Sequence, residues 1–330
     1  MKILLTGGLG YIGSHTAVEL LEQGHEVVIL DNLHNSDISI KGKIEQISGK
    51  KIKFYKADIL DKKALDKIFK KENLEAVINF AGLKAVGESV QIPLDYYHTN
   101  VTGAINILET MKKYKVYKFV FSSTACVYPM DSKFPVNEEV RPNPYNPYGR
   151  TKLFIEEILK DLSASDKNFE ITILRYFNPI GAHESGLIGE NPNGIPNNLL
   201  PYVTRVATGR LEKLTVFGND YKTNDGTCIR DFIHVVDLAK AHLKAIEKIK
   251  QGVEIYNIGT GTGYSVLEVI NTFNKVCGDK VKFVFGPRRE GDIAVCFANP
   301  SKAQKTLGFK TTKTLEDMCR SAYNFEINNK

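Results

Sequence analysis

The first half of the chain alternates short apolar runs with longer stretches in which apolar residues return every three or four positions. The short runs have almost no polar interruption, which is typical of strands covered on both faces of a parallel sheet. The longer stretches have the period of helices that turn one apolar side toward a core. The predicted strands span 2–7, 26–31, 52–58, 76–82, 118–124 and 170–178, and the predicted helices span 14–24, 62–72 and 106–114.

This repetition of strand and helix predicts right-handed βαβ units and an α/β fold with a Rossmann-like, doubly wound parallel sheet. The rhythm changes after residue 178, where 181–198 is rich in Gly, Asn and Pro and is predicted to be a loop. Further helices are predicted at 199–208 and 234–249, and further strands at 214–218 and 254–259. We expect a first domain at 1–178 and, at 179–330, a smaller α/β domain that is partly interleaved with it.

Composition and charge narrow the class of partner. The chain has 330 residues, of which 42% are hydrophobic and 25% charged, as in ordinary globular proteins. Its net charge of +6 comes from interspersed acids and bases without a dense Lys/Arg run. We therefore expect no nucleic acid partner, while the positive excess suits a small polyanionic substrate.

Cysteine usage and hydropathy indicate the compartment. The five cysteines are scattered, without a C-x-x-C pair or a His/Cys cluster, so neither a disulfide framework nor a metal site is expected and a reducing compartment fits. The chain opens on a predicted strand instead of a signal peptide, and no apolar run approaches the ~18 residues of a membrane span. We expect a cytoplasmic protein that has no membrane partner.

The stretch TGGLGYIG (6–13) joins the first predicted strand to the first predicted helix. Gly7, Gly10 and Gly13 are three apart, and Gly8 with the last two also satisfies G-x-G-x-x-G. Such glycines permit a tight turn and a close approach of the backbone to a pyrophosphate at the helix N-terminus. Because the motif follows a strand and opens a helix, it predicts a dinucleotide site and not only a turn that packs a helix on a sheet.

Acidic residues at strand ends refine the choice of dinucleotide. Asp31 ends the second predicted strand, where an acid is placed to bind the adenosine ribose hydroxyls. A carboxylate there would repel a 2′-phosphate, and DNLHNS (31–36) offers no arginine to receive one, so NAD is favoured over NADP. Asp58, ending the third strand, is either an acceptor for the adenine amino group or a solvated acid. Lys84, after the fourth strand, is placed to reach a phosphate or a ribose.

Three further groups converge on the same edge of the predicted sheet. Thr124 ends the fifth strand, after Ser122 and Ser123, and the carboxyl ends of parallel strands open on the ligand crevice. Tyr148 and Lys152 are four apart, just after a proline that suits the first turn of a helix, so they share one helical face. We therefore expect a hydroxyl, a phenol and an ammonium near the nicotinamide end of the cofactor.

The order of these motifs predicts acid–base chemistry, although a Tyr-x-x-x-Lys pair alone is common on solvated helix faces. A free phenol has a pKa near ~10 and is a poor base at neutral pH. A nearby ammonium and a positively charged nicotinamide ring would lower that pKa, by roughly 1–3 units for an opposite charge within reach. Tyr148 would then take the proton of a substrate hydroxyl while hydride leaves the same carbon, and Thr124 would hold that hydroxyl.

The ordered set TGGLGYIG, FSSTACVY (121–128) and YGRTK (148–152) resembles the extended short-chain dehydrogenase/reductases, over essentially the whole chain. Within that family, the closest similarity is to epimerases of UDP-hexoses, in FAGLKAVGESV (80–90), LRYFNPIGAHESG (174–186), GIPNNLLPY (194–202), GNDYKTNDGTCIRDFIHVVDLA (218–239) and PRREGD (287–292). The resemblance implies an NAD-dependent isomerase, a homodimer, that interconverts UDP-galactose and UDP-glucose through a transient 4-keto sugar and bound NADH. The domain at 1–178 would bind NAD, and the domain at 179–330 would bind the UDP-sugar.

The resemblance also carries binding roles onto matching positions. For the cofactor these are, besides the residues above, Tyr11, Ile12, Asn32, Leu33, Asn35, Ser36, Ile59, Phe80, Ala81, Gly82, Thr99 and Tyr176, together with Tyr148 and Lys152. For the substrate they are Lys84, Thr124, Tyr148, Asn178, Asn198, Leu199, Thr215, Val216, Phe217, Arg230, Arg289, Asp292 and Cys296. Arg230 and Arg289 would clamp the diphosphate, because guanidinium groups bond phosphate oxygens in pairs. Phe217 would form part of the uracil pocket, and Asp292 would bind a ribose.

Three positions depart from the family's common pattern. Thr124 stands where serine is more frequent, which keeps the hydroxyl and adds a methyl group. Thr99 replaces an asparagine that is common near the nicotinamide ribose. Cys296 stands where some epimerases carry a tyrosine beside the hexose. Either this small side chain leaves room for UDP-N-acetylhexosamines (UDP-GalNAc and UDP-GlcNAc), or it only fills core space.

Three other functions fit parts of the pattern. A dehydratase of the same fold would need an added acid and base, and such enzymes carry acidic residues after the strand-five hydroxyl, where this chain has Ala125 and Cys126. The sequence argues less strongly against a decarboxylase that acts on a UDP-uronic acid than against a dehydratase. A cofactor-sensing protein without catalysis would typically lose the tyrosine, whereas Tyr148 and Lys152 are both present.

Overall fold

The computed structural model describes residues 1–289 and 291–329. Its strands are β1 (Lys2–Thr6), β2 (Glu26–Asp31), β3 (Lys53–Lys56), β4 (Ala76–Asn79), β5 (Lys118–Thr124), β6 (Glu170–Tyr176), β7 (Asn178–Ile180), β8 (Leu214–Phe217), β9 (Ile229–His234), β10 (Gly252–Ile258), β11 (Gly263–Ser265), β12 (Phe283–Gly286) and β13 (Val295–Cys296). Its helices are α1 (Tyr11–Glu22), α2 (Ser39–Ser48), α3 (Lys62–Glu72), α4 (Val86–Gln91), α5 (Pro93–Tyr96), α6 (Gly103–Lys113), α7 (Pro147–Ser165), α8 (Leu199–Ala207), α9 (Val235–Glu247), α10 (Val266–Cys277), α11 (Ser301–Leu307) and α12 (Leu315–Asn328). A π-helical turn (Tyr97–Thr102) follows α5, and a short 3-10 turn (Ala125–Val127) follows β5.

Seven parallel strands form the main sheet, in the spatial order β10-β6-β5-β4-β1-β2-β3. β1 pairs with β2 on one side and with β4 on the other, so that Leu4 lies between Val28 and Val77. The chain therefore reverses its direction of travel across the sheet at β1. The crevice at the carboxyl ends of β1 and β4 is the switch point where doubly wound sheets bind ligands.

Apolar side chains cover both faces of this sheet, as the near-continuous apolar strands predict. On one face Leu5 belongs to a buried cluster with Leu20 of α1 and Leu238 of α9. On the opposite face Leu4 belongs to a second cluster with Ile107 of α6. Each fully buried side chain of this kind stabilises the fold by roughly 1.5–3 kcal/mol relative to an exposed one.

The last strand of the main sheet comes from the second half of the chain. β10 pairs with β6 along its whole length, from Gly252 opposite Glu170 to Ile258 opposite Tyr176. Helix α9, also from the second half, packs with α1 in the same buried cluster. The predicted interleaving is thus present in the sheet itself, and the boundary at residue 178 stays a prediction about how the chain divides.

The remaining elements form a smaller unit around a core of their own. It contains two small sheets, β11-β9-β13 with β7 beside β9, and β12-β8. Val203 of α8, Phe273 of α10 and Met318 of α12 are buried there. Ser265 and Thr314 begin α10 and α12 with reciprocal capping boxes, which satisfy backbone donors at the helix starts. Across the two described ranges, the helices fall short of the length and apolar character that crossing a membrane requires.

The structure confirms the predicted α/β fold class and the type of every predicted element. β2, β5 and α3 have the predicted bounds. β4 ends at Asn79, three residues early, because the chain turns there and Gly82 has a φ of +154°. α1 begins at Tyr11 because the extended Gly10 directly precedes its first turn. Prediction missed α4 and α5, which are only six and four residues long, and it also missed the helices α2, α10, α11 and α12 and the strands β9, β11, β12 and β13.

Candidate functional site

Two glycines of the loop after β1 have no room for a side chain. Gly7 has a φ of +68°, and a Cβ there would lie 2.8 Å from the backbone nitrogen of Ala81. A Cβ on Gly13 would lie 2.5 Å from the carbonyl oxygen of Gly7. The glycine loop is therefore packed against the residues that follow β4, at the switch point of the sheet.

The first turn of α1 is open to an anion. Gly10 precedes this helix, no side chain caps it, and its first turn contains no acidic residue. The first backbone N–H groups of a helix have no partner inside the helix and carry the positive end of its dipole. A pyrophosphate fits this place, as the glycine motif predicts.

Asp31 is fixed in direction by three hydrogen bonds at the end of β2. One carboxylate oxygen accepts from the Leu9 backbone nitrogen at 3.0 Å. The other accepts from the Leu33 backbone nitrogen at 2.9 Å and from the Ser36 hydroxyl at 2.8 Å. An ionised carboxylate offers about four acceptor positions, so capacity remains for a ribose hydroxyl. The donor set therefore fits the adenosine end of NAD.

Other predicted cofactor residues lie around this end of the crevice. Asn32 donates to the Asp58 carboxylate at 2.8 Å, and the second oxygen of Asp58 accepts from the Leu60 backbone nitrogen at 2.8 Å. Asp58 lies just past β3, and this pairing gives it a fixed position instead of that of a free solvated acid. Ile59 is buried in the core beneath, and Asn35 is exposed.

The loop after β4 is tied to α7 by a buried amide that the sequence analysis missed. The side chain of Asn100 accepts from the Leu83 backbone nitrogen at 2.7 Å and donates to the Thr151 hydroxyl at 3.0 Å. Thr151 donates to the Tyr148 carbonyl oxygen at 2.7 Å. Asn100 directly follows Thr99 within the π-helical turn. The sequence pointed to Asn100 only through its place next to Thr99, where the family commonly has an asparagine.

Lys84 and Asn198, both predicted as ligands, share one carboxylate. The Lys84 ammonium is 3.5 Å from a carboxylate oxygen of Glu190, and the Asn198 amide donates to the same oxygen at 2.7 Å. Glu190 was not predicted, because it lies inside the long Gly/Asn/Pro-rich segment without a motif. It places a negative charge beside two groups that we expect to bind phosphate or sugar oxygens.

Helix α7 begins where the proline predicts. Asn146 has extended backbone angles, and its side chain accepts from the Gly149 backbone nitrogen at 2.8 Å, while Pro147 occupies the first helical position. Such caps satisfy backbone donors that have no partner within the helix. The cap fixes the start of the helix and therefore the place of Tyr148, one residue into it.

Tyr148 and Lys152 lie on the same side of α7, facing the end of β5. The Lys152 side chain is 5% exposed, and its ammonium donates to the Ser122 carbonyl oxygen at 2.8 Å. That ammonium is 6.0 Å from the centre of the Tyr148 ring and 4.9 Å from the centre of the Phe121 ring. Thr124, the third predicted catalytic residue, is buried at the strand end and accepts from a backbone nitrogen. The structure thus brings the three predicted groups together.

The protein by itself does not make the Tyr148 phenol acidic, contrary to the expected effect of the lysine. Burial raises the pKa of Tyr148 well above its ordinary value, and the neighbouring Cys126 and Tyr176 act in the same direction, while a hydrogen bond with Thr124 lowers it. Burial lowers the pKa of Lys152 to about 8, against the attraction of Glu156. Acidification of the phenol therefore requires a further positive charge in the crevice, such as an oxidised nicotinamide ring.

Tyr176 ends β6 opposite Thr124, and its phenol and the Ser122 hydroxyl are hydrogen-bonded. Burial raises the pKa of Tyr176 above its ordinary value. Phe80, at the end of β4, and the Tyr176 ring both contact the buried ring of His242. The two predicted cofactor residues therefore share one aromatic cluster beneath the crevice.

On the substrate side, Asp292 brings the two predicted arginine clamps together. One of its oxygens lies 3.5 Å from the Arg230 guanidinium, and the other accepts from Arg289 at 3.0 Å. The Arg289 guanidinium also lies 5.1 Å from the centre of the Phe217 ring. Arg230 is held further by the carbonyl oxygen of Ile293, at 2.8 Å. Two guanidinium groups beside an exposed aromatic ring suit a nucleoside diphosphate.

The acid next to Arg230 in the chain serves a different purpose. Asp231 is fully buried and accepts from three backbone nitrogens, those of Thr260, Gly261 and Ala298, at 2.8, 3.0 and 3.1 Å. It therefore fixes the turn after β10 and is not the partner of Arg230. Without the family resemblance, the two neighbouring charges would have been taken for a surface ion pair.

Cys296 lies in β13 directly opposite Arg230 and is half-buried. Burial raises its pKa to about 12, although Arg230 lowers it. Burial raises the pKa of Tyr145 to about 12, and Cys126 and Cys296 act in the same direction. A Cβ on Gly291 would lie 3.5 Å from the Tyr145 ring. Tyr145 is thus a further candidate for substrate contact, which the family motifs did not indicate.

The other predicted substrate residues lie at element ends. Asn178 begins β7 and is exposed, and Asn198 immediately precedes α8, which Leu199 begins. Thr215 and Val216 lie in β8, where Val216 is buried. Among the described residues, no three carboxylate, thiol or imidazole side chains are grouped to hold a metal ion.

A phenol and a lysine at the ligand crevice of a doubly wound sheet, with a glycine turn after β1 and an aspartate at the end of β2, define a dinucleotide-dependent enzyme of the Rossmann class. The characteristic sequence of the NAD dependent epimerase/dehydratase family matches residues 3–259, and the chain belongs to this family. NAD is accordingly its cofactor, which the open turn of α1, Asp31 and Lys152 would hold at the pyrophosphate, the adenosine ribose and the nicotinamide ribose.

Close relatives cover the whole chain. It is 55% identical to the UDP-glucose 4-epimerase of Bacillus subtilis (strain 168), over 100% of this chain and 98% of that protein. It is 52% identical to the UDP-glucose 4-epimerase of Homo sapiens, over 99% of this chain and 97% of that protein. The crystal structure of UDP-glucose 4-epimerase from Bifidobacterium longum in complex with NAD+ and UDP matches with a TM-score of 0.97 at 49% identity, covering 100% of this chain and 99% of that one.

Proposed function

We propose that this chain is a UDP-hexose 4-epimerase that interconverts UDP-galactose and UDP-glucose. The observation that carries the proposal is the meeting of a buried phenol, a buried ammonium and a strand-end hydroxyl at the dinucleotide crevice, in Tyr148, Lys152 and Thr124. The clamp of Arg230 and Arg289 around Asp292 supports a diphosphate-linked substrate. The relatives' names support the sugar and the reaction.

The residues divide the work as follows. When bound, NAD supplies the oxidant that takes a hydride from C4 of the sugar and returns it to either face. Tyr148 removes the proton of the 4-hydroxyl and later returns a proton to the same oxygen. Thr124 holds that oxygen by a hydrogen bond. Lys152 places a positive charge beside the phenol, which favours the phenolate once a second positive charge is present.

The clamp residues allow the sugar to turn between the two proton transfers. Arg230 and Arg289 hold the diphosphate, and Phe217 offers its exposed ring to the base, so the nucleotide keeps its place while the flat keto sugar presents its other face. After the strand-five hydroxyl the chain has Ala125 and Cys126 and no carboxylate. This composition argues against a dehydratase, which needs an extra acid and base to eliminate water.

The direct test is to incubate purified protein with UDP-galactose and no added NAD, and to separate the products by chromatography. We expect UDP-glucose to accumulate, because the cofactor is regenerated in each turnover and stays bound. A persistent keto sugar would instead identify a dehydratase. In a parallel incubation with a UDP-uronic acid, loss of CO2 would identify a decarboxylase, and the absence of any product in both incubations would favour a sensor.

The same assay decides the range of sugars. Cys296 leaves more space beside Arg230 than a tyrosine would, which supports the acceptance of UDP-GalNAc and UDP-GlcNAc. We expect the chain to interconvert UDP-galactose with UDP-glucose and UDP-GalNAc with UDP-GlcNAc. The Cys296→Tyr variant should lose activity on the two N-acetylated sugars and keep its activity on the other two. Turnover of UDP-galactose without any turnover of UDP-GlcNAc by the unaltered chain would show that the cysteine only fills space.

A homodimer is supported by an apolar surface on α4, α5 and α7. Leu94 on α5 is 80% exposed and Val90 on α4 is 64% exposed, and Ile92, between these two helices, and Phe154 on α7 are exposed as well. Large exposed apolar patches of this kind are typical of interfaces. We expect the chain to be a dimer by size-exclusion chromatography with light scattering and Leu94→Glu to be monomeric. Ile327→Glu, on α12, is the matched control that should stay dimeric.

The cytoplasm remains the proposed compartment. All five cysteines are free thiols, and none is paired with another. Free thiols persist in reducing compartments, which supports this assignment.

A further inference from the structure

A buried ion pair lies directly behind the catalytic groups. The Arg175 guanidinium donates to both carboxylate oxygens of Glu156, at 3.0 and 2.5 Å, and both side chains are almost fully buried. Arg175 also donates to the Tyr128 hydroxyl at 3.1 Å, and Tyr128 donates to the Asn257 side chain at 2.6 Å. No step of the proposed reaction uses this pair.

The pair joins α7 and β5, which carry the catalytic residues, to β6, which carries the predicted cofactor residue Tyr176. Glu156 lies on α7, four residues after Lys152, so the two side chains share one helical face. Its carboxylate accepts from the hydroxyl of Ser123, the residue before Thr124 on β5, at 2.5 Å. Arg175 lies on β6, one residue before Tyr176. Loss of the carboxylate would therefore loosen β5 and β6 from α7 at the level of the reacting groups.

The same carboxylate is placed to keep the buried ammonium charged. Burial disfavours the charged lysine, and within 1–289 and 291–329 the Lys152 ammonium has one hydrogen-bond acceptor, the Ser122 carbonyl. Burial lowers its pKa to about 8, and Glu156 is the one charged group that raises it. The other titratable groups around Tyr148 and Lys152, from the elements packed against them, are Tyr96 with its partner Glu88, Cys126, Tyr176 and Arg175. Among the described residues, none of these groups raises the pKa of Lys152 as Glu156 does.

A purely stabilising role explains the pair poorly. Buried ion pairs cost nearly as much desolvation as they return in attraction, and apolar residues of similar size often serve stability as well. We propose that Glu156 is a positioning residue for Lys152. The Glu156 carboxylate holds the Lys152 ammonium against the end of β5, while Arg175 compensates the negative charge of that carboxylate from the other side. The inference rests on the proposed function only for its kinetic readout.

The test measures Lys152 directly. Protein labelled with 15N-lysine is titrated by NMR of the ammonium groups, and Lys152→Arg identifies the Lys152 signal. In Glu156→Gln/Arg175→Met, which removes both charges together, we expect the pKa of Lys152 to fall by about one unit. The alkaline limb of kcat for UDP-galactose should move to lower pH with it, because turnover needs the charged lysine.

Two further variants keep the test decisive. Glu72→Gln is the matched control, because Glu72 is an equally buried carboxylate that accepts from Lys53 at 2.8 Å and Tyr55 at 2.5 Å, on α3 away from the crevice. It should lower Tm and leave the Lys152 titration unchanged. Glu156→Asp keeps the charge but draws it back by one methylene, so the pKa of Lys152 should fall by a smaller amount, even if the double variant does not fold.

The inference is overturned if Lys152 titrates alike in the unaltered chain, in Glu156→Asp and in any folded double variant, or if Glu72→Gln shifts the titration as much as they do. A chain that never converts UDP-galactose would remove the proposed function. The NMR titration of Lys152 does not depend on turnover, so it would still test this inference.

Discussion

At the scale of single residues, the site depends on the charge that the crevice holds. The structure keeps Tyr148 protonated, because burial raises the pKa of its phenol. Burial also lowers the pKa of Lys152, so the neighbouring ammonium is less fully charged. A positive nicotinamide ring would add the charge that the protein lacks. Proton transfer is therefore expected only when the oxidised cofactor is bound, which protects the substrate from unproductive deprotonation.

Replacing Tyr148 by phenylalanine removes the hydroxyl of the proposed base and leaves the ring. We expect kcat for UDP-galactose to fall about 10²–10⁴-fold, the usual contribution of a positioned acid–base group. NAD content, measured in the denatured protein, should be unchanged. Tyr117→Phe is the control, because Tyr117 precedes β5 at the opposite end of the sheet and packs on Phe169. Near-normal turnover by the Tyr148 variant would show that Tyr148 is not the base.

The residues that could be predicted are those with local signatures. Gly7, Gly13 and Asp31 follow from their spacing around a strand, and Tyr148 and Lys152 from theirs on a helix. Glu190 could not be predicted in the same way, because its contact with Lys84 spans 106 positions. Contacts of this kind arise from folding and leave no short pattern in a single sequence.

At the scale of elements, the position of Tyr148, the proposed base, depends on where α7 begins. Asn146→Ala removes the acceptor of the Gly149 backbone nitrogen, and we expect the free energy of unfolding to drop by about 1 kcal/mol. Because Tyr148 lies in the first turn, kcat should drop as well. Urea denaturation and initial rates measure the two effects.

Asp61→Ala is the matched control for this prediction. Asp61 caps α3 by accepting from the Lys63 and Ala64 backbone nitrogens at 3.0 and 3.1 Å, on a helix without predicted site residues. It should cost similar stability and leave kcat unchanged. Equal loss of kcat in both variants would contradict a special role for the start of α7.

The strands of the main sheet were predictable because each is buried on both faces and therefore reads as an apolar run. The small strands β7, β11 and β13 have two or three residues, too few to show any period. Helices α4 and α5 expose Val90 and Leu94, so their apolar residues do not mark the core of one chain. Their pattern becomes meaningful only if a second copy covers them.

At the scale of the whole molecule, buried histidines make stability dependent on pH. Burial lowers the pKa of His15 to about 3 and that of His234 and His242 to about 4, so all three stay neutral in the folded protein at pH values where the unfolded chain binds protons. Between pH 6.5 and 4, the contribution of these histidines to the free energy of unfolding therefore falls as the pH falls. Glu19, whose pKa burial raises to about 7, acts in the opposite direction.

His242 offers a clean measurement of this effect, since it is fully buried and contacts Phe80 and Tyr176. Over that pH interval one such residue changes the free energy of unfolding by up to about 1.4 kcal/mol per pH unit. His242→Leu should therefore show a shallower loss of Tm between pH 7 and 4.5 than the unaltered chain. His98→Leu, an exposed site, should follow the unaltered chain. Parallel curves for His242→Leu would contradict the assignment.

The strand β10 at the edge of the main sheet has a consequence for synthesis in the cell. Residues 252–258 leave the ribosome long after β6, so the growing chain carries an unpaired, apolar sheet edge while the intervening segment is translated. The nucleotide-binding half cannot finish folding during its own translation. A truncated product that stops before residue 252 should accumulate in inclusion bodies and depend on chaperones for solubility, even though every glycine and acid of the dinucleotide motif is present.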